Sequence, residues 1–137
     1  MTRDEGSASV EFLVVGVLLL VPIAYLVLTL GRVQAATFAA ESGAREASRV
    51  LATTSDGEAL AETSVALALA DQGFATPPGT LVLECAADPC RSPEAEIAAT
   101  VRIDVDLPFV PGFLGGAVPA HVPVEVRRVA VVDRFAS

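Results

Sequence analysis

The chain of 137 residues contains no lysine and no tryptophan, and it has only one histidine, one tyrosine and two cysteines. Its net charge of −8 lacks the basic field that nucleic-acid binding requires, so we expect no nucleic-acid partner. One histidine and two cysteines are too few for a typical zinc site or for histidine-based catalysis. The sequence also has no glycine-rich phosphate loop. We therefore expect no metal, no other cofactor and no catalytic residue.

Hydrophobic residues make up 53% of the chain, although aromatic residues account for only 5%. This composition excludes disorder for most of the chain. The densest stretch is an uncharged run of 19 residues, residues 12–30. As an α-helix the run is roughly 28 Å long, which is close to the hydrocarbon thickness of a bilayer. We therefore predict that it spans a membrane.

A secretory signal peptide is the main alternative for this run. The apolar part of a signal peptide has about 7–15 residues and is followed by a cleavage site with small residues. The run here is longer, and Arg3 is the only basic residue before it. The helical pattern also continues through residues 33–35, the possible cleavage site. These features favour a membrane-spanning helix.

Beyond the run, hydrophobic residues recur at spacings of three and four over residues 33–51. This pattern predicts that the helix continues with one narrow apolar face. Glu41 and Arg45 are four residues apart, which is the favourable spacing for an ion pair on a helix, and Glu46 and Arg49 form a second candidate pair three residues apart. The small residues of the apolar face suit two partners equally well. These are the globular part of the chain itself and a neighbouring helix in a filament.

A second helix is predicted from Asp56 to Gln72. Ser55 and Glu58 have the spacing of a capping box, which marks a helix start. Gly73 follows at the position where helices often end with a left-handed residue.

The C-terminal half alternates hydrophobic and polar residues in three segments, which predicts three β-strands. The first covers residues 81–85. In the second, the odd-numbered residues of 97–107 form an apolar face and the even-numbered ones a polar face. The third begins at Val122, and Arg127-Arg128 shifts its parity. We predict a β-bulge there, which would keep the valines on one face; the alternative is that the strand ends there.

Two further features of this half are a long connection and the cysteine pair. Residues 108–121 are apolar and rich in proline and glycine, and we expect them to cover the sheet. Contact with a bilayer or a neighbouring subunit is the alternative.

Cys85 and Cys90 would form a disulfide if the chain beyond the span lies in an oxidising compartment; otherwise they are reduced thiols. Basic residues do not fix that orientation, because they stand on both sides of the span.

The residues before the run form a recognisable motif. Gly6, four small or apolar residues, Glu11 and Phe12 resemble the prepilin-peptidase site of type IV pilin-like proteins. More narrowly, the chain resembles the TadE-like family of minor pilins or pseudopilins of tight-adherence (Tad) pili. The family pattern is a glycine, four residues and Glu-Tyr, and Phe12 replaces the tyrosine here. The alanine-rich residues 39–47 are also similar to that family, and the resemblance covers about residues 6–52.

The resemblance implies cleavage between Gly6 and Ser7, a cytoplasmic N-terminus, an extracytoplasmic C-terminal domain and a part in pilus assembly. The implied partners are the membrane, a prepilin peptidase, other pilus subunits and the assembly platform. After cleavage, the ammonium group of Ser7 would satisfy the Glu11 carboxylate of a neighbouring subunit inside an apolar environment. Glu11 and Phe12 would then set the register of assembly. The alternative for Glu11 is a solvated acid at the membrane surface.

These features together predict an α+β protein. Residues 1–6 are the leader, residues 7–54 the membrane-spanning and amphipathic helix, and residues 55–137 an extracytoplasmic domain. That domain would hold the second helix and a small antiparallel sheet of about three strands. The predicted function is that of a minor pilin or pseudopilin, and no enzymatic activity is expected. The alternative is a membrane-anchored extracytoplasmic binding module without a filament role.

Overall fold

The computed structural model describes residues 5–110 and 120–135. It confirms the α+β architecture, with two helices followed by a three-stranded antiparallel sheet. Residues 1–4 of the predicted leader and residues 111–119 of the predicted sheet-covering connection lie outside the described residues. The elements are α1 (Glu5–Thr53), α2 (Gly57–Asp71), β1 (Leu81–Cys85), β2 (Glu96–Asp106) and β3 (His121–Val131).

Helix α1 has 49 residues and is roughly 74 Å long. Its two halves have different surroundings. Side chains of residues 8–30 are exposed apart from two that are partly covered. From Ala36 onward one face is buried against α2 and the sheet. The domain itself is therefore a partner of the amphipathic face. The buried alanines of this face are Ala36, Ala39, Ala40, Ala44 and Ala47.

Helix α2 packs closely against α1 because both contact faces carry small residues. Ala61, Val65 and Leu69 recur every four residues and are fully buried. Gly43 of α1 faces Val65, and a Cβ atom at Gly43 would lie 3.4 Å from the Val65 Cα. Because alanine and glycine extend so little from the backbone, the two helices can approach each other and still exclude water.

The start of α2 differs from the predicted capping box. The N-cap residue is Asp56 rather than Ser55, and its side chain makes no capping hydrogen bond with the described residues. Gly57 is buried at the first helical position, where a Cβ would lie 3.0 Å from the Leu51 Cα. The close contact between Gly57 and α1 places the helix start, and Glu58 is then one residue too early for the box. The capping-box prediction is therefore wrong.

The end of α2 has the predicted geometry. Gly73 has φ of 73°, and its N–H donates to the Ala70 carbonyl over 2.9 Å. The Phe74 N–H donates to the Leu69 carbonyl, also over 2.9 Å. These two bonds form a Schellman motif, in which glycine takes the left-handed position without a steric cost. Phe74 then packs against the core and directs the chain toward β1.

The sheet has the order β1-β2-β3, and the pairing of β2 with β3 is uninterrupted from Glu96↔Val131 to Asp106↔His121. The predicted bulge at Arg127-Arg128 is therefore wrong, and the strand also continues beyond that point. Regular alternation turns Arg128 toward the helices, opposite Ala99. The valines that follow lie on the outer face, where Val129 is 52% exposed and Val131 is 59% exposed.

The core lies between the inner face of the sheet and the two helices. Ile97, Val101 and Val105 of the central strand β2 are fully buried there. Two small residues on the outer face of β2, Ala98 and Thr100, are buried as well. An ion pair between Glu84 of β1 and Arg127 of β3, 2.8 Å long, spans β2 on that side. Longer side chains of the neighbouring strands thus cover the small residues of the central strand.

Replacement of Gly57 by alanine tests the close contact between α2 and α1. Intrinsic helix propensity alone would make Gly57→Ala stabilising by up to about 1 kcal/mol. We expect the opposite sign, a loss of about 1–3 kcal/mol, because the new Cβ meets backbone atoms of Leu51 that cannot move aside cheaply. Thermal unfolding of the detergent-solubilised full chain, followed by circular dichroism, measures the effect.

Gly31→Ala is the matched control, because a Cβ at Gly31 meets nothing within 4 Å. This substitution should leave the unfolding midpoint unchanged or raise it slightly. Equal stabilisation by both substitutions would show that Gly57 is not held against α1.

Candidate functional site

The predicted site residues near the N-terminus all lie on α1. The backbone of Gly6 and Ser7 is in the first turns of the helix. Glu11 follows Ser7 by four residues, so the two lie on the same helical face one turn apart. Glu11 is exposed, and Phe12 is 78% exposed. The structure therefore brings these four residues together at one end of a helix, away from the domain.

The exposed half of α1 carries a large apolar surface. Within the described residues, α1 is the one helix long and apolar enough to cross a membrane, and no residue of its most apolar 18-residue stretch is buried. Water does not tolerate a continuous apolar surface of this size. Lipid or other protein must therefore cover it. Its exposed residues include Leu13, Leu18, Leu20, Ile23, Leu26 and Leu28.

The continuity of α1 argues against a signal peptide. A signal-peptide cleavage site at residues 33–35 would lie inside a helix that is unbroken from Glu5 to Thr53. The next residue, Ala36, is 0% exposed and belongs to the core of the domain. Cleavage there would separate the apolar run from a helix that the domain needs for its core.

The half of α1 that packs into the domain forms ion pairs within the helix and with the sheet. The predicted Glu41–Arg45 pair is present, with its charged atoms 2.9 Å apart. The predicted Glu46–Arg49 pair is present as well, with a hydrogen bond of 3.0 Å from Nε of Arg49. Glu41 also binds Arg128 of β3, so this carboxylate joins the helix to the sheet. The sequence predicted the two pairs within the helix, but it did not predict the contribution of Arg128.

The Arg128 guanidinium lowers the pKa of Glu41, through a hydrogen bond and through its charge, with a smaller contribution from Arg45. Because the pKa of Glu41 is lower in the folded chain, its ion pairs stabilise the fold above the ordinary carboxyl range. This contribution is lost as the pH falls through the lowered pKa. Arg49 similarly lowers the pKa of Glu46 by a hydrogen bond.

Cys85 and Cys90 lie at disulfide distance, with Cα atoms 5.1 Å apart. Cys85 ends β1, and the short loop between the two cysteines contains a cis peptide bond before Pro89. The pair lies in the domain and is separate from the residues at the N-terminal end of α1. Among the described residues, no group of three or more histidine, cysteine, aspartate or glutamate side chains is placed to hold a metal ion.

The family model described as TadE-like protein matches residues 6–49 of the chain. No curated protein and no solved structure matches the chain. The family match begins at Gly6 and ends within the last turns of α1, so it includes both the exposed and the buried half of the helix. The similarity to the TadE-like family thus covers most of α1 and does not extend to α2 or the sheet.

Proposed function

We propose that the chain is a minor pilin or pseudopilin of a Tad-type pilus, and that a prepilin peptidase removes residues 1–6. One observation carries this proposal. The helix that matches the family has an apolar half with no buried residue in its most apolar stretch, close to the candidate cleavage site, and a second half that is built into the core of its own domain. Such a helix can move between lipid and a filament without unfolding the domain.

The exposed half of α1 suits two successive environments. Before assembly, acyl chains would cover it, because its apolar stretch matches the thickness of a bilayer. After assembly, helices of neighbouring subunits would replace the lipid. One contiguous apolar face of this part of the helix offers a surface for such packing. It is formed by Leu13, Val14, Val17, Leu18, Val21 and Pro22.

Cleavage after Gly6 would give Glu11 a partner. The new ammonium group at Ser7 lies one helical turn before the carboxylate. A carboxylate within an apolar environment is costly unless it is paired. An ammonium group from a neighbouring subunit would remove this cost only when the two helices are in the correct axial register. Glu11, beside Phe12, would thus select the register in which a subunit joins.

A pilin-like function also implies a membrane topology for the chain. The N-terminus would lie in the cytoplasm and the domain outside it, anchored by a single span. Cys85 and Cys90 would then meet an oxidising compartment, where a disulfide between cysteines at this distance persists. The assembly platform and other pilus subunits would be the partners of the membrane-inserted chain.

The mass of the mature protein tests processing most directly. We expect the full chain, expressed with a prepilin peptidase, to lose residues 1–6 and to begin at Ser7. Without the peptidase, those residues should remain. Intact-mass spectrometry of the membrane fraction distinguishes the two forms.

Gly6→Val should block this cleavage, whereas Gly16→Val, at an exposed glycine within the apolar run, should not. An intact N-terminus in the presence of an active peptidase would contradict the proposal. It would instead support the alternative function of a membrane-anchored binding module. That alternative is favoured by the location of α2 and the sheet outside the family match.

Replacement of Glu11 by alanine tests the register hypothesis. Glu11→Ala leaves the neighbouring ammonium group without its partner, which should reduce co-isolation with other pilus subunits about tenfold or more. The number of pili per cell should fall with it. Quantitative co-purification and electron microscopy measure the two effects.

Glu5→Ala is the control, because this acid leaves with the leader and should not affect the mature subunit. If Glu11→Ala left processing, subunit binding and piliation unchanged, the assigned role of Glu11 would be wrong.

A further inference from the structure

One end of the sheet carries an exposed aromatic side chain. Phe109 follows the last residue of β2 by three positions, and it is 82% exposed. Its φ of 59° lies in the left-handed region, which bulky residues seldom adopt. The domain itself therefore leaves most of this ring uncovered.

The hydrogen-bonded ladder between β2 and β3 extends almost to Phe109. Beyond the last pair, Asp106↔His121, the Leu107 N–H donates to the Ala120 carbonyl over 2.8 Å. Phe109 is two residues farther along the chain, and two extended residues cover at most about 7 Å. Phe109 thus lies directly beside this end of the sheet.

This end of the sheet lies near the point where α1 leaves its apolar run. Arg32 of α1, Asp106 of β2 and Pro123 of β3 line one cleft. Arg32 follows Leu30, the last residue of the apolar run, by two positions, which is about 3 Å along the helix axis. The end of β2 and the start of β3 are therefore close to the end of the apolar run.

The ion pair between Glu41 and Arg128 gives the same level independently. From Glu41 back to Leu30, α1 covers roughly 17 Å. From Arg128 back to His121, β3 covers roughly 23 Å along its axis, or roughly 18 Å along the helix if the two are inclined by about 40°. Since the first residues of β3 lie on the side of the apolar run, the strand reaches the level of Leu30 at His121.

We propose that Phe109 inserts into the headgroup region of the bilayer that α1 spans, as a second contact between the chain and the membrane. The headgroup layer on each side of a bilayer is roughly 5–7 Å thick, and the level of Arg32 falls within it. Phenylalanine is among the residues with which interfacial segments enter the boundary between headgroups and acyl chains. The contact requires that α1 spans a membrane, but it does not require a role in a pilus.

The charges near Phe109 indicate an apolar contact rather than attraction to anionic lipid. Asp104 and Asp106 are exposed at this end of the sheet, and Arg102 is paired with Glu125 at 2.7 Å. Binding to anionic membranes depends instead on clusters of basic residues. The contact is therefore insertion of the ring into a zwitterionic bilayer, and it should not weaken at high salt.

A second contact would restrict how α1 is oriented in the bilayer. Interfacial anchors help to set the tilt and rotation of a membrane-spanning helix. Because the sheet packs onto one side of α1, Phe109 anchors the chain on that side only. Phe109→Ser should therefore change the tilt of α1 in aligned bilayers, measured by polarised infrared spectroscopy, whereas Phe135→Ser should not.

Tryptophan fluorescence tests the insertion directly, because the chain has no tryptophan of its own. Phe109→Trp introduces a single fluorophore into the full chain, which is reconstituted into phosphatidylcholine nanodiscs. Phosphatidylcholine brominated near the headgroup quenches a tryptophan from the lipid side, and iodide quenches it from water. The matched control is Phe135→Trp, because Phe135 is 84% exposed and follows β3 at the opposite end of the sheet.

We expect the brominated lipid to quench Phe109→Trp at least about threefold more strongly than Phe135→Trp. Iodide should show the opposite preference. Leu20→Trp, in the middle of the apolar run, reports the span separately, and lipid brominated near the ends of the acyl chains should quench it.

Equal quenching of Phe109→Trp and Phe135→Trp by the brominated lipid would overturn the inference. Protection of Phe109→Trp from both quenchers would overturn it as well, since protein rather than lipid would then cover this position. Leu20→Trp without quenching by lipid would overturn the span and the inference together. Because processing is read from the mass of the mature chain, failure of this membrane contact and failure of the proposed function are distinguishable.

Discussion

The packing of the alanine-rich half of α1 into the domain is the contact on which the rest of the structure depends. The same helix is apolar around most of its circumference over residues 12–30 and apolar on one narrow face within the domain. Alanines and Gly43 meet the second requirement, because they let α2 approach closely and bury Val65 and Leu69. The apolar run and the helix that the core needs are therefore one continuous element, and the position of the domain follows from the position of the run.

Ion pairs also connect the second half of α1 with the sheet. Glu41 joins α1 to β3 through Arg128, which lies on the inner face of the sheet. Such exposed pairs contribute little stability individually. The Glu41–Arg128 pair marks one rotational position of the sheet relative to α1, and the buried residues of both elements hold that position. Beyond the Leu81↔Val101 pair, the described residues place no strand on the β1 side of the end of β2 that lies nearest to the apolar run.

Much of the fold could be predicted because its signals are local. The apolar run, the alternation in β2 and the glycine after α2 each depend on residues close in sequence. The same is true of the site motif, in which Gly6 and Glu11 lie within two helical turns. Two predictions were wrong, the β-bulge at Arg127-Arg128 and the capping box of α2, and both depend on contacts between residues far apart in sequence. Arg128 faces inward beside Glu41, which is 87 residues away in the chain.

The start of α2 was missed for a related reason. The capping-box pattern depends only on residues near a helix start, whereas the contact between Gly57 and α1 determines where α2 begins. The contact between Arg32 and the Phe74 ring could not be predicted either, because these residues meet only after the two helices have packed. Local patterns thus predicted the elements, while contacts between distant residues determined their ends and the surfaces between them.

Spin-label accessibility along α1, measured on the full chain in a bilayer, tests the two-environment helix most directly. Labels at positions 13–30 should collide with lipid-soluble oxygen and be shielded from a water-soluble nickel chelate. Labels at exposed positions such as Ser42 and Arg45 should show the reverse, with the change at Gly31 and Arg32. Equal access of the nickel chelate along both halves would contradict the account.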